Sequence, residues 1–318
     1  MLKKIKSFIL VIICTCTLGL CFAGSALAEE EKPAIRQLLT PTDWEVVDED
    51  GNTGLNPGEI YTHYFDIYNT GTEQFDFRAY AVSYGVTDEN YNIDFNAEGT
   101  YSQIKNWITF NKNIYTVAPG EYERVYFTIR VPYDVPAGGQ YAILMSEIIN
   151  NEDEGMIKSV NRIGMKLYAH INGETRSTGY GKIIENNVNS FFLNPPISVS
   201  SLVKNEGNVH ADAVYEFDVY PIFSDDPIYT AVDEEGNAPS TVVLPETSRF
   251  NTFSWQNSPA LGIYRVVQKI TFMGETSEVE KIVIICPIWL IFIVALVIAV
   301  LIARRVAAKR AKNDKAVI

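Results

Sequence analysis

Near the carboxyl end, Ile282 to Ala303 reads IVIICPIWLIFIVALVIAVLIA, an unbroken run without a charge. As a helix it would be about 33 Å long, enough to cross a hydrocarbon core of about 30 Å. Only a helix or a closed barrel hides its backbone polar groups in lipid, so one isolated run implies one transmembrane helix, 282–303. Pro287 falls in its first turns, where a missing N–H costs little, and Trp289 near an interface that favours amphipathic rings. Beyond it, 304–318 carries Arg304, Arg305, Lys309, Arg310, Lys312 and Lys315 against Asp314 alone. Such a tail is expected to stay cytoplasmic, with everything before the helix outside a single-pass membrane protein.

The opposite end reads as a secretory signal over residues 1–28. Lys3, Lys4 and Lys6 form its basic part, Phe8 to Phe22 its apolar part, and Ala26-Leu27-Ala28 a cleavage site. Cys14, Cys16 and Cys21 leave with the signal and Cys286 falls in the apolar run, so the exported part has no cysteine and no disulfide. That suits a Gram-positive surface. The net charge is −13 with basic residues gathered at both ends, so the intervening part is more acidic still. It repels nucleic acid and anionic lipid.

Between the two ends no helical periodicity stands out. Short runs rich in Val, Ile, Tyr, Phe and Thr are separated by Gly, Pro, Asn and Asp clusters, as in β-sandwiches. In Glu121 to Val131, Val125, Phe127, Ile129 and Val131 alternate with Arg124, Tyr126, Thr128 and Arg130, giving one apolar and one wet face. Glu59–Tyr68, Phe75–Tyr84, Tyr141–Ile149 and Ile157–His170 read as further strands, and Tyr264–Phe272 as the last. Only Tyr101–Trp107 reads as a helical turn.

Three landmarks recur in order. Asn69-x-Gly71 with Asp76 is matched by Asn205-x-Gly207 with Asp212. Val117-Ala118-Pro119-x-Glu121-x-x-Arg124 is echoed one residue shorter by Val243-Leu244-Pro245-Glu246-x-x-Arg249, and Pro136-Ala137-x-Gly139-x-Tyr141 by Pro259-Ala260-x-Gly262-x-Tyr264. This implies two copies of one module. The expected fold is all-β, with two tandem immunoglobulin-like β-sandwich domains, 33–171 and 179–281, before the helix.

Chemistry finds little purchase. His63, His170 and His210 have no carboxylate or cysteine at ligand spacing, and no nucleophile elbow, phosphate loop or HExxH occurs. The chain is therefore not expected to be an enzyme or to hold a cofactor. Asp48, Asp50, Asn52, Asn56 and Glu59 stand at positions 1, 3, 5, 9 and 12 of a calcium loop, but Thr53 replaces its glycine and strands flank it. A hairpin turn accounts for them better. Leu244-Pro245-Glu246-Thr247 matches a sorting tetrapeptide but is followed by Ser248, and far from the apolar run it reads as a strand entry.

Leu55-Asn56-Pro57-Gly58-Glu59, then Phe65-Asp66-Ile67-Tyr68-Asn69, then Thr87-Asp88-Glu89-Asn90-Tyr91-Asn92-Ile93, and Val131-Pro132 before Gly138-Gly139 give this order a particular look. With the signal, second sandwich, helix and basic tail, it resembles the WxL-interacting protein family of Gram-positive bacteria. Tyr91-Asn92 stands where the family has an Asn-Gly turn. The resemblance implies a membrane-anchored cell-surface binding or adhesion protein. Its first domain would bind cell-wall peptidoglycan, and its second secreted WxL-type or other surface proteins. A structural envelope protein without a specific ligand is the alternative.

Overall fold

Alternation with a period of two becomes strand along most of the chain. The computed structural model describes residues 35–47, 51, 53–149, 161–183 and 190–314. The expected signal, 1–28, lies outside them. The described part is mostly β-strand and forms two β-sheet-rich lobes followed by a helix.

Lobe 1 holds β1 (Gln37–Thr40), β2 (Asp43–Glu45), β3 (Ile60–Asn69), β4 (Phe75–Ser83), β5 (Gly85–Val86), β6 (Ile93–Asp94), β7 (Ile108–Phe110), β8 (Tyr115–Val117), β9 (Tyr122–Arg130), β10 (Gly138–Ile148) and β11 (Arg162–Ile171). A 3-10 helix, Thr100–Asn106, precedes β7. One sheet runs β1-β3-β9-β7 and another β2-β11-β10-β4-β8, while β5 and β6 form a separate hairpin. Phe65, Ile67, Val125 and Phe127 from the first sheet join Phe77, Leu144, Leu167 and Ile171 from the second in one buried cluster. Removing such side chains from water is the main term holding the lobe together, at about 25 cal/mol per Å².

Lobe 2 holds β12 (Gly179–Ile183), β13 (Phe191–Phe192), β14 (Ile197–Asn205), β15 (Ala211–Pro221), β16 (Tyr229–Thr230), β17 (Ser240–Val243), β18 (Ser248–Trp255), β19 (Gly262–Phe272) and β20 (Glu275–Ile285). Its sheets are β12-β14-β18 and β13-β20-β19-β15-β16, with β17 also on β15. Val199, Val203 and Trp255 meet Phe217, Val266, Ile270 and Val283 in a second cluster.

The repeated landmarks do the same work in both lobes. Gly71 N donates to Asn69 Oδ1 (3.0 Å), and Asn69 Nδ2 donates to the carbonyls of Glu73 (2.8 Å) and Val117 (3.2 Å). Gly207 N donates to Asn205 Oδ1 (2.8 Å), and Asn205 Nδ2 to the carbonyls of Val209 (2.8 Å) and Val243 (2.9 Å). Each buried amide thus ties a turn to a distant strand. The rings of Tyr141 and Tyr264 fold back over Gly139 and Gly262, where a Cβ would collide with the tyrosine ring. One echo needs correction. Asn69 N donates to Glu121 O and Asn205 N to Thr247 O, so the two turns have equal length. Glu246, at φ 57, therefore takes the left-handed place of Gly120, at φ 78, and Arg249 matches Glu123 rather than Arg124.

The end of lobe 2 differs from expectation. Tyr264–Phe272 belongs to the penultimate strand, because Met273-Gly274 turns the chain into β20, which pairs with β19 from Phe272↔Glu275 to Gly262↔Ile285. Ile282 to Ile285 are strand rather than helix, since Val283 and Ile285 point into the core while Ile282 and Ile284 are exposed. The expected start of the apolar helix at 282, and the end of lobe 2 at 281, therefore both move. The helix runs Ile288–Asp314, with Pro287 just before it, where its missing N–H is harmless. By length and composition, Ile288–Ala307 could cross a membrane, and none of it is buried against the lobes.

His63 sits in lobe 1 against Trp44, ring centroids 4.4 Å apart, and its Nε2 has no hydrogen-bond partner. Burial holds its pKa below the ordinary value of about 6.5. His170 is lowered too, first by burial and then by the charge of His210. Unfolding lets both imidazoles take protons that the folded lobe resists, so stability is full above about pH 6.5 and falls as pH drops below it. His63→Phe is expected to give a shallower loss of stability between pH 7 and 5 than the parent in urea titrations. An unchanged slope would place the proton uptake elsewhere.

Candidate binding surfaces

The alternation that buries Phe65, Ile67, Val125 and Phe127 sends their neighbours to the opposite face of the first sheet. Register places Tyr64 opposite Tyr126, Asp66 opposite Arg124, and Tyr68 opposite Tyr122. The ring centroids of Tyr64 and Tyr126 are 5.8 Å apart, and those of Tyr68 and Tyr122 5.4 Å. Between these pairs the Arg124 guanidinium lies over the Tyr64 ring at 3.9 Å and donates Nε and Nη2 to the two oxygens of Asp66, at 2.8 and 2.9 Å. Asp66 raises the Arg124 pKa further, so its charge is fixed. Tyr64, Tyr122 and Tyr126 are exposed, as are Ile60 and Leu38 at the two ends of the strip. The result is a flat, ordered array of aromatic rings around one clamped guanidinium.

A second convergence lies between the lobes. The outer face of β10 carries Tyr141, Ile143 and Met145, which join Tyr84 and Tyr168 of the same lobe and Leu244 of lobe 2 in a small buried cluster. The β5–β6 hairpin reaches across, with Tyr91 at its tip in the left-handed region at φ 62. The Tyr91 hydroxyl accepts from Leu244 N (2.8 Å) and bonds Thr247 Oγ1 (2.7 Å), while Arg249 lies 4.3 Å over its ring. Phe250 N donates to Glu89 O at 2.7 Å. Burial raises the Tyr91 pKa, and that of Tyr141 more strongly. On the other flank, Tyr141 Oη accepts from His210 N (3.0 Å) and Gly139 N donates to Asn208 O (2.7 Å).

Cavities of about 260 and 290 Å³ lie on either side of Tyr84 in this seam. In the larger, Lys166 is engaged with Asp43 at 2.9 Å and Arg249 with Val242 O at 2.7 Å, while Asp94 and Glu98 line the smaller. The bonds of Tyr91, Phe250 and Tyr141 across the seam join the lobes.

Of the calcium-loop residues, Asp48, Asp50 and Asn52 lie outside the described residues. Asn56 and Glu59 are brought together, but their oxygens are occupied. Glu59 Oε2 accepts from Asn56 Nδ2 (3.1 Å) and Tyr61 Oη (2.6 Å), and Asn56 Oδ1 from Asn172 Nδ2 (2.8 Å). His210 stands with Nε2 3.6 Å from Glu45 Oε1, an acid 165 positions away in sequence. A hydrogen bond from His210 is the main cause lowering the Glu45 pKa. Among the described residues, no three His, Cys, Asp or Glu gather as a metal site. The tetrapeptide 244–247 is the turn between β17 and β18, with Leu244 buried in the seam. Sequence reasoning missed both convergences. The ring pairs needed cross-strand register, and bonds across the seam span separations such as 69 and 156 positions.

No family model matches the chain, and no curated protein matches it in sequence. Solved structures of like fold do exist. The class 5 fimbriae chaperone CfaA is 11% identical over 80% of this chain and 100% of its own, with a TM-score of 0.37. The E. coli chaperone DraB is 10% identical over 78% and 97%, with a TM-score of 0.36. A chain of the CsuC–CsuE chaperone–tip adhesion subunit complex of Acinetobacter baumannii is 12% identical over 68% and 89%, at 0.34. The likeness is one of fold.

These findings correct the family reading. The neighbours are chaperones of pilus assembly, not WxL-interacting proteins of a Gram-positive surface. The turn motifs behind that resemblance are common to sandwich folds and single out no family. Peptidoglycan and WxL proteins as partners fall with it, and so does the adhesion role. The single-pass surface location falls too, its helix resting on length and composition alone.

Proposed function

We propose that this chain is a protein-binding module that docks a folded polypeptide partner on the tyrosine–arginine face of lobe 1. In this reading each lobe is a closed immunoglobulin-like β-sandwich, 33–171 and 179–285, and the seam around Tyr91 holds the two as one rigid body. The observation that carries the proposal is the array of Tyr64, Tyr68, Tyr122 and Tyr126 around Arg124. Tyrosine and arginine are, with tryptophan, the residues enriched where protein interfaces concentrate their energy. Their ordering before binding also lowers the entropy lost on docking, since Arg124 is already clamped by Asp66.

The test is a photo-crosslinking residue at Thr62, on the same face, in cells of the source organism, followed by affinity measurement with the purified captured partner. Tyr126→Ala and Arg124→Ala should each weaken that partner by roughly tenfold or more, as for interface residues worth about 2 kcal/mol. Phe223→Ala, at a residue 97% exposed on lobe 2, should leave binding unchanged. Equal affinity for parent and lobe 1 variants, or no captured protein, would remove this face from the function.

A further inference from the structure

The two lobes differ at one sheet edge. In lobe 1 the outer edge of β9 is filled by β7, with Ile108↔Ile129, Thr109↔Thr128 and Phe110↔Phe127 as partners. Asn111 N donates to Tyr126 O and Arg130 N to Trp107 O along the same edge. Matching Val117 with Val243 sets Tyr126 against Thr252 and Thr128 against Ser254, so β18 is the counterpart of β9. Its sheet, however, has three strands, β12-β14-β18, with no counterpart of β7 among the described residues.

Backbone alternation fixes which groups face that open edge. Asn205 N donates to Thr247 O on the β14 side, whereas Phe250 N donates the other way, to Glu89 O. Phe250, Thr252 and Ser254 therefore turn their backbone groups outward. Ser254 O meets the Tyr229 hydroxyl at 3.3 Å. Thr252 is exposed, and no described backbone group pairs with it on that side. Between those two contacts the sequence devices that usually protect an exposed edge are missing as well. SRFNTFSW contains no proline, lysine or glycine, and its one charge, Arg249, is turned inward to Val242 O and the Tyr91 ring.

We propose that the outer edge of β18 is a strand-acceptor site for an extended polypeptide segment lying antiparallel to it. Main-chain hydrogen bonds to Thr252 and Ser254 would supply affinity, and alternate side chains specificity. The pattern to be accepted is written in β7, where Ile108 and Phe110 pack toward the core and Thr109 points out between them. The incoming segment accordingly carries apolar residues opposite Phe253 and Trp255, with a small polar residue opposite Ser254. This site lies on lobe 2, away from the tyrosine–arginine face, and stands independently of it.

The probe is a synthetic peptide with the sequence of residues 106–113, NWITFNKN, added to the full chain and followed by residue-resolved amide hydrogen exchange. The amides of Thr252 and Ser254 should slow by roughly tenfold or more, while that of Phe250, already bonded to Glu89, changes little. Thr252→Pro removes an outward N–H without touching the pairing with β14, a position where an edge strand tolerates proline. It should weaken the peptide by roughly tenfold or more. If that variant does not fold, the exchange pattern of the parent decides alone. No binding at millimolar peptide, protection at other amides, equal binding by Thr252→Pro, or equal binding of a scrambled peptide would each overturn the proposal. Tyr126→Ala should leave peptide binding intact, so this site and the lobe 1 face fail or stand separately.

Discussion

Asn69→Ala and Asn205→Ala are each expected to lower the free energy of unfolding by about 3–5 kcal/mol. Either change strands one buried N–H and two carbonyls, at about 1–3 kcal/mol for each group left without a partner. Both side chains are almost wholly buried, so water cannot take over the lost bonds. The same three bonds recur in both lobes, and the two losses should agree to within about 1 kcal/mol. Asn69→Asp should be no milder than alanine, because a carboxylate would face the carbonyls of Glu73 and Val117. Chemical unfolding read at Trp44 and Trp107 for lobe 1, and at Trp255 for lobe 2, measures each lobe directly. Losses under about 1 kcal/mol in both would mean that these amides are not structural knots.

The second large effect is expected at Tyr91. Tyr91→Ala removes a ring stacked under Arg249 and an acceptor for Leu244 N, at a cost of about 2–4 kcal/mol. Its consequence should be specific: calorimetry of the parent gives one unfolding transition, and that of the variant two, as lobe 1 and lobe 2 lose their coupling. Tyr91→Phe keeps the ring and orphans Leu244 N–H, so it should cost about 1–2 kcal/mol and leave one transition. A single transition at the parental temperature in Tyr91→Ala would shift the joint to the Tyr141–His210 flank.

How much of this was legible depends on distance along the chain. Strands such as Tyr122–Arg130 are visible because alternation is local, and the Asn-x-Gly turns because one amide side chain bonds a backbone two residues on. The turn at 244–247 was visible but misaligned. Pro119 and Pro245 coincide, yet the second copy puts a glutamate where the first has Gly120, and the eye slides Glu246 onto Glu121. The start of the helix was hidden because Val283 and Ile285 are apolar for a different reason from Ile288 onward, namely sheet packing. Tyr91 looked like a poor turn residue. Its place in the left-handed region serves contacts with Leu244, Thr247 and Arg249, which no local pattern encodes.

Only Cys286 and Pro287 separate β20 from the C-terminal helix, so a pull on the helix passes directly to the last strand. Eleven residues of β20 pair with β19, and its final turn is gripped on the other side by β13, through Ile284 N to Ser190 O and Cys286 N to Phe192 O. A tug along the helix therefore loads this ladder in shear, with many bonds sharing the force at once, instead of unzipping them one by one. Strain entering from the helix is expected to reach the Tyr91 joint before the last strand slips.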